Sequence, residues 1–333
     1  MTHPDEDRIQ RFCQLFSALE EEVRRVIVGN REIVRKVLTA FFAGGHVLLE
    51  SAPGLGKTLL MKSLSRAVAL GAKRIQFTPD LMPSDIVGTE VLSESHGERS
   101  FTFKPGPVFT HIVLADEVNR ATPKTQSAIL EAMEEHQVSV FGQTHRLAPP
   151  FFVMATQNPI EIEGTYPLPE AQLDRFLFKL VIHSPSSAEL TEILNRTTSD
   201  THVEVRPLLG SEEQAAMEVE QLKGLVREVL LAPPLNHYIA RLIASATPGN
   251  AEALPEVNQY VRFGPSPRGA QAMTLGAKVN ALLDKRVNVS YDDIVDVALP
   301  ALRHRCLLNF QAEAEGVQAD TLIEALLQKV DRA

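Results

Sequence analysis

The chain has 333 residues, 44% of them hydrophobic and 23% charged, and a net charge of −9. That is the make-up of a globular protein with room for two domains, and no apolar run approaches the ~20 residues that cross a membrane. The acidic balance argues against a bulk nucleic-acid binder, and two cysteines with ten scattered histidines give neither a disulfide framework nor a metal cluster.

In chain order, residues 6–28 set Phe12, Leu15, Phe16, Leu19, Val23 and Val26 at helical spacing. The helix breaks at Val26–Asn30 and resumes over 32–43. Strand-like runs follow at about 46–50, 74–78, 111–116, 151–156 and 176–182, with helical stretches at 58–70, 123–136 and 168–174 between them. Strands alternating with helices predict an α/β fold with a parallel sheet. Two stretches interrupt the alternation. Residues 79–110 alternate around Val91, with a turn at Gly97 and then Phe101 and Phe103. Residues 137–147 carry Val138, Val140, Gly142 and Leu147. Both read as hairpins. Composition shifts near residues 183–186, where Ser186 and Glu189 form a capping box for a helix to about Thr197. Helices are then expected at 212–230, 234–246, 267–284, 290–302 and 317–331, with polar loops at 199–211 and 247–266. The expected division is 1–184 and 185–333.

Chemistry concentrates in two segments of the first part. Residues 51–58 read S-A-P-G-L-G-K-T between an apolar run and a helical stretch, the context of a phosphate-binding loop. Gly54 and Gly56 let backbone N–H groups turn inward around phosphates, and the helix N-terminus adds positive charge. Lys57 is placed to neutralise the outer phosphates of a nucleotide such as ATP, and the Thr58 hydroxyl to ligate magnesium. Pro53, Leu55 and Leu59 complete the expected contacts. The loop pattern usually begins with Gly, and Ser51 satisfies the turn if its φ is negative.

Residues 112–117, I-V-L-A-D-E, form an apolar strand ending in two carboxylates. Asp116 suits the metal's water shell, and Glu117 suits polarising an attacking water. The run 74–78 falls between the two motif strands, so they are not expected to be adjacent. This marks the additional-strand branch of phosphate-loop enzymes.

Longer runs carry a resemblance. A-D-E-V-N-R-A-T-P-K-T-Q (115–126), L-E-A-M-E-E (130–135), A-T-Q-N-P-I-E (155–161), E-G-T-Y-P-L-P-E-A-Q-L-D-R-F (163–176) and S-P-R-G (266–269) resemble the MoxR family of AAA+ ATPases over roughly residues 25–325. The resemblance implies an AAA+ core of strand order 5-1-4-3-2, a C-terminal helical lid, and the two hairpins as that clade's inserts. It also implies a hexameric ring with ATP between subunits. Family members act as chaperones on client enzyme complexes, commonly with a von Willebrand factor A domain partner. Asn30 and Ile162 stand where the family often has Gln. A cytoplasmic protein, neither inserted in a membrane nor bound to nucleic acid, is expected.

Individual residues carry two readings each. Asn158 is either a turn residue before Pro159 or, by resemblance, the sensor that orients water. Arg175 is either a surface arginine paired with Asp174 or Glu170 or, by resemblance, the finger reaching a neighbour's γ-phosphate. Arg268, at a helix start, resembles the second sensor, touching nucleotide in its own subunit. Val28 and Gly29 resemble the adenine-side contact, and a helix break explains them equally. Arg120 either reaches the neighbouring site or pairs with Glu117 or Glu131. Glu134 and Glu135 read as a solvated helix face, and the phenylalanine pairs as core or hairpin packing.

Two rivals stand beside an ATP-driven chaperone. One is a nucleic-acid motor, opposed by a hairpin with only Arg99 and Lys104 against Glu94 and Glu98. The other is an assembly scaffold with little turnover, opposed by the intact Lys57, Asp116, Glu117 and Asn158.

Overall fold

The computed structural model describes residues 5–95, 98–158, 164–198 and 203–331. Gly97, Pro159, Glu161 and Ile162 lie outside the described residues, as do the side chains of Glu94, Glu98 and Arg99.

Two helices, α1 (Glu6–Arg24) and α2 (Arg31–Ala43), lead into β1 (Val47–Glu50) and α3 (Lys57–Ala67). Next come β2 (Ala72–Gln76), α4 (Pro83–Val87), the hairpin β3 (Gly88–Ser95) and β4 (Glu98–Pro105), and β5 (Ile112–Asp116). A single 3-10 turn, Val118–Arg120, precedes α5 (Pro123–Glu135) and a second hairpin, β6 (Gln137–Val140) and β7 (Gln143–Arg146). The core closes with β8 (Phe152–Gln157), α6 (Glu170–Leu173) and β9 (Phe178–Val181). Five strands form a parallel sheet of order β2-β5-β8-β1-β9. Counting only these five, that is 5-1-4-3-2 from the β9 edge, the expected order. β8 lies between β1 and β5, so the motif strands are separated as their spacing required.

The strand sequences explain the layering. V-L-L-E, I-V-L-A-D and F-V-M-A-T-Q are near-continuous apolar runs, as parallel strands covered on both faces must be. Side chains alternate between faces. Leu49, Leu114 and Met154 enter the core shared with α1, α2, α3 and the later helices. Leu48, Val113 and Val153 enter the one under α5 and the hairpins. Edge strand β2, A-K-R-I-Q, buries mainly Ile75.

Both hairpins are antiparallel, and His145 of the second stacks on Phe103 of the first at 3.9 Å. Phe101 corrects the packing expectation: it is 71% exposed, opposite exposed Leu92.

The remaining chain is almost wholly helical: α7 (Ser187–Thr197), α8 (Glu212–Glu228), α9 (Pro233–Ser245), α10 (Pro255–Tyr260), α11 (Pro267–Leu283), α12 (Tyr291–Leu302), α13 (Phe310–Glu315) and α14 (Ala319–Lys329). The Ser186–Glu189 capping box starts α7. The expected loop 247–266 instead holds α10 and a short strand β10 (Val261–Phe263), paired with β11 (Leu307–Leu308). Helix α10 starts with Pro255 and lasts six residues, too few for periodicity to reveal. Small residues on α11 let it lie against β9: a Cβ on Gly276 would meet the Phe178 ring at 2.8 Å. No helix among the described residues is long and apolar enough to cross a membrane.

Candidate functional site

The phosphate loop occupies residues 51–56, between β1 and α3. Gly54 (φ 82°) and Gly56 (φ 78°) are left-handed, and nothing lies within 4 Å of where a Cβ would stand. Backbone sign, not space, therefore requires glycine here. Helix α3 begins at Lys57, so Lys57 and Thr58 both stand in its first turn and Leu59 follows. The Lys57 ammonium folds back over the loop, donating to the Ser51 carbonyl at 3.4 Å. Ser51 is buried, is not among the residues of positive φ, and donates its amide to Gln157 O at 3.3 Å.

Strand register gathers the acidic pair. Gln76 aligns with Asp116, Ala115 with Ala155, and Leu49 with Thr156. Asp116 is buried. Its Oδ1 accepts from the Thr156 hydroxyl at 2.6 Å, and its Oδ2 from Arg74 at 2.6 and 3.0 Å. Glu117 is left-handed (φ 57°), with its amide donating to Thr156 Oγ1 at 2.8 Å. Its carboxylate accepts from Gln76 at 2.8 Å and from Arg120 at 3.0 Å, so Arg120 makes one of its expected pairings. Asn158 is buried just past β8, its carbonyl facing Asn119 Nδ2 at 3.5 Å.

Thr58 and Asp116 supply a hydroxyl and a carboxylate, the hard oxygen donors that magnesium takes. Among the described residues no group of three or more His, Cys, Asp or Glu is placed to hold a metal ion unaided. A magnesium ion held here would draw its remaining ligands from water and phosphate, so the donor set fits an ion arriving with a nucleotide.

Gly29 (φ 67°) turns the chain between α1 and α2, and a Cβ there would stand 2.2 Å from Glu189 Oε1. Asn30 beside it is also left-handed. From Asn30 a cleft of about 540 Å³ runs past Ile33, Leu180, Val181 and His183. It opens beside the carboxyl end of β9, at the same edge of the sheet as the phosphate loop. Val28 and Gly29 come just before Asn30 in the chain and do not themselves line the cleft.

The other two predicted arginines lie at the opposite edge. Arg175 precedes β9, whose approach is tied to β1 by Leu177 N donating to His46 O at 2.8 Å. Glu134 ends α5, which runs back from the carboxyl edge; His46 Nε2 meets Met133 O there at 3.1 Å. Arg175 pairs with Glu134 at 2.7 Å, and Arg268 pairs with the other oxygen of the same carboxylate. All three line a pocket of about 190 Å³ with Gly45, Leu177 and Arg305.

Arg175 pairs with Glu134 rather than with Asp174 or Glu170. Glu134 and Glu135 are exposed, as a solvated face would be, and Glu134 is in addition the counter-ion of two arginines. Arg268 stands with Arg175 at the amino edge, whereas its own phosphate loop follows the carboxyl end of β1. The reason is the packing of α11, whose amino end meets α5 and the segment before β9. Buried Arg305 holds that segment, donating to Asp174 Oδ1 at 2.7 Å and to the carbonyls of Asp174, Phe176 and Leu177.

Four participants were missed: Gln76, Arg74, Thr156 and Glu134. The polar ends of two strands, R-I-Q and A-T-Q-N, were a signal for the first three. Nothing local marks Glu134.

A phosphate loop and an Asp–Glu pair separated by one strand of a parallel sheet define a phosphate-loop ATPase of the additional-strand type. Residues 46–178 match the model of the ATPase family associated with various cellular activities (AAA), and residues 255–326 match the AAA lid domain. The chain is 39% identical over 309 residues to Chaperone MoxR1 of Mycobacterium tuberculosis, covering 93% of this chain and 80% of that one. It is 30% identical over 327 residues to Protein MoxR of Methylorubrum extorquens, covering 93% of each. The chain belongs to the MoxR family of AAA+ ATPases. It is 43% identical to the uncharacterized protein YeaC of Bacillus subtilis, over 93% of this chain and 92% of that one. A crystal structure from Cytophaga hutchinsonii, assigned as an ATPase, superposes with a TM-score of 0.88 at 37% identity, covering 98% and 97%.

Proposed function

We propose that this ATPase hydrolyses ATP at sites shared between neighbouring copies, and uses the cycle to remodel or mature a partner protein complex. Its core is residues 1–184 and its lid residues 185–333. The observation that carries this reading is the separation of the parts. Lys57, Asp116, Glu117 and Asn158 stand at the carboxyl edge of the sheet, and Arg175 and Arg268 at the amino edge. Arginines so placed serve a phosphate held by another copy in a head-to-tail ring, for which six members are the family expectation.

Each residue then has a task. Lys57 and the backbone amides of Gly54–Gly56 hold the phosphates, with Pro53 shaping the loop. Thr58 and Asp116 would hold magnesium, which when bound neutralises phosphate charge. Glu117 takes a proton from the attacking water, and Asn158 orients that water. Arg175, with Arg268, balances charge developing on the neighbour's phosphate, a role worth on the order of 10³–10⁵ in rate. Val28 and Gly29, just before the cleft that begins at Asn30, would lie on the adenine side. The relatives named chaperones support a chaperone role, and a von Willebrand factor A domain protein is the expected partner.

The test is ATPase rate against protein concentration for wild type, Glu117→Gln and Arg175→Ala. Specific activity rising with concentration, lost in both variants while Glu117→Gln still binds ATP, is expected. Activity independent of concentration and surviving Arg175→Ala would refute shared sites. Normal assembly with negligible wild-type turnover would point to a scaffold, and stimulation by DNA with a steep salt dependence to a nucleic-acid motor.

A further inference from the structure

We infer that Thr156 is a positioning residue for hydrolysis, one hydroxyl that fixes the metal-side carboxylate Asp116 and the backbone of Glu117 together. The inference rests on the reading that ATP is cleaved at this pair.

Thr156 is fully buried two residues before Asn158, in the middle of the sheet. Its Oγ1 lies 2.8 Å from the Glu117 amide and 2.6 Å from Asp116 Oδ1. The chemistry settles both directions. An amide N–H can only donate, so Oγ1 accepts from Glu117, and the single hydroxyl proton goes to Asp116. A β-branched side chain on a paired strand has little χ1 freedom, so this hydroxyl is set before any ligand arrives.

Its two partners are adjacent residues with different tasks. Asp116 has its second oxygen turned to Arg74, so the bond from Thr156 fixes the plane of the carboxylate. Glu117 has φ 57°, a conformation that residues with a Cβ avoid, and the bond to Thr156 anchors its amide there. Without the hydroxyl, both the carboxylate that meets the magnesium shell and the base that meets water lose their reference to β8. Asn158, carried by the same strand, keeps its place, so the three groups fall out of mutual register.

Thr156→Val keeps shape and removes the hydroxyl; Thr156→Ser restores it. The readouts are affinity for a fluorescent ATP analogue in EDTA and in magnesium, single-turnover hydrolysis, and thermal unfolding, with Glu117→Gln alongside. For Thr156→Val we expect unchanged affinity in EDTA, with the magnesium-linked gain in affinity and the turnover reduced about 10–100-fold, as for other residues that orient metal ligands. Thr156→Ser should recover most of both. Wild-type turnover and magnesium gain in Thr156→Val, beside an inactive Glu117→Gln, would overturn the role of Thr156 alone. An active Glu117→Gln would overturn the site reading and this inference with it. A lowered unfolding temperature with unchanged turnover would make the hydroxyl merely structural and also overturn it. If Thr156→Val does not fold, Thr156→Ser against Thr156→Cys carries the same contrast, because a thiol donates weakly.

Discussion

His46 illustrates how one buried side chain ties stability to pH. Nδ1 accepts the Val153 amide at 3.0 Å, so the ring proton sits on Nε2 and points to Met133 O at 3.1 Å. Burial pushes its pKa from 6.5 down to about 3, and burial also drives His304 well below the usual range. Both rings are neutral in the folded chain and in the unfolded chain at pH 7.5. Below 6.5 only the unfolded chain takes up the protons. Stability is therefore fully present above pH 6.5 and is lost as pH falls toward the folded values, by about 1.4 kcal/mol per pH unit for each ring. Glu22 and Glu50, held below their usual 4.5, act only at lower pH. Urea midpoints at pH 7.5, 6.5 and 5.5 check this; a midpoint that does not fall between 6.5 and 5.5 would show that these rings are not buried neutral.

At the scale of elements, the informative place is the end of α5. One carboxylate there, Glu134, neutralises Arg175 and Arg268 together. In the proposed shared site, a neighbour's phosphate must displace it to engage either arginine. These pairs are partly exposed, so the competition is worth no more than ~1 kcal/mol, which corresponds to about fivefold in an equilibrium. Glu134→Gln should therefore reach half-maximal ATPase at about fivefold lower protein concentration. A shift to higher concentration would mean that Glu134 aims the arginines rather than restraining them. The strand–loop–helix of residues 47–67 was legible because an apolar run, two glycines and a helical stretch are each local signals. The hairpins were legible from alternation. Helices α4 and α10 were not, having five and six residues. The link from Glu134 to Arg268 spans 134 residues and depends on how α11 packs, which no local pattern encodes. Thr156 was hidden differently: in A-T-Q-N it looks like the end of a buried strand, and only strand order sets it against Asp116.

For the whole molecule, the sheet itself divides the labour. Its carboxyl edge carries the phosphate loop and the Asp–Glu pair, and its amino edge carries the arginines, with the lid packed so that Arg268 joins Arg175. Arg305 and Ser266 both bind Asp174, so the segment bearing Arg175 and the lid helices α11 and α12 are joined by buried and half-buried hydrogen bonds. In the proposed shared site, a displacement of the arginines by a neighbour's phosphate would be passed to the lid of the same chain. Such a molecule has two distinct faces, and each face can be disabled alone. Lys57→Ala spoils the phosphate face and leaves the arginines; Arg175→Ala does the reverse. Each variant alone should be nearly inactive. In an equimolar mixture, head-to-tail contacts that set the intact phosphate face of one variant against the intact arginines of the other should make up about a quarter of all contacts. ATPase activity should therefore reappear on mixing, toward that fraction of wild type, and should fail to reappear if both variants carry Arg175→Ala. Mixtures no more active than their components would mean that each copy completes its own site, which the two edges of this sheet do not permit without a rearrangement of the lid.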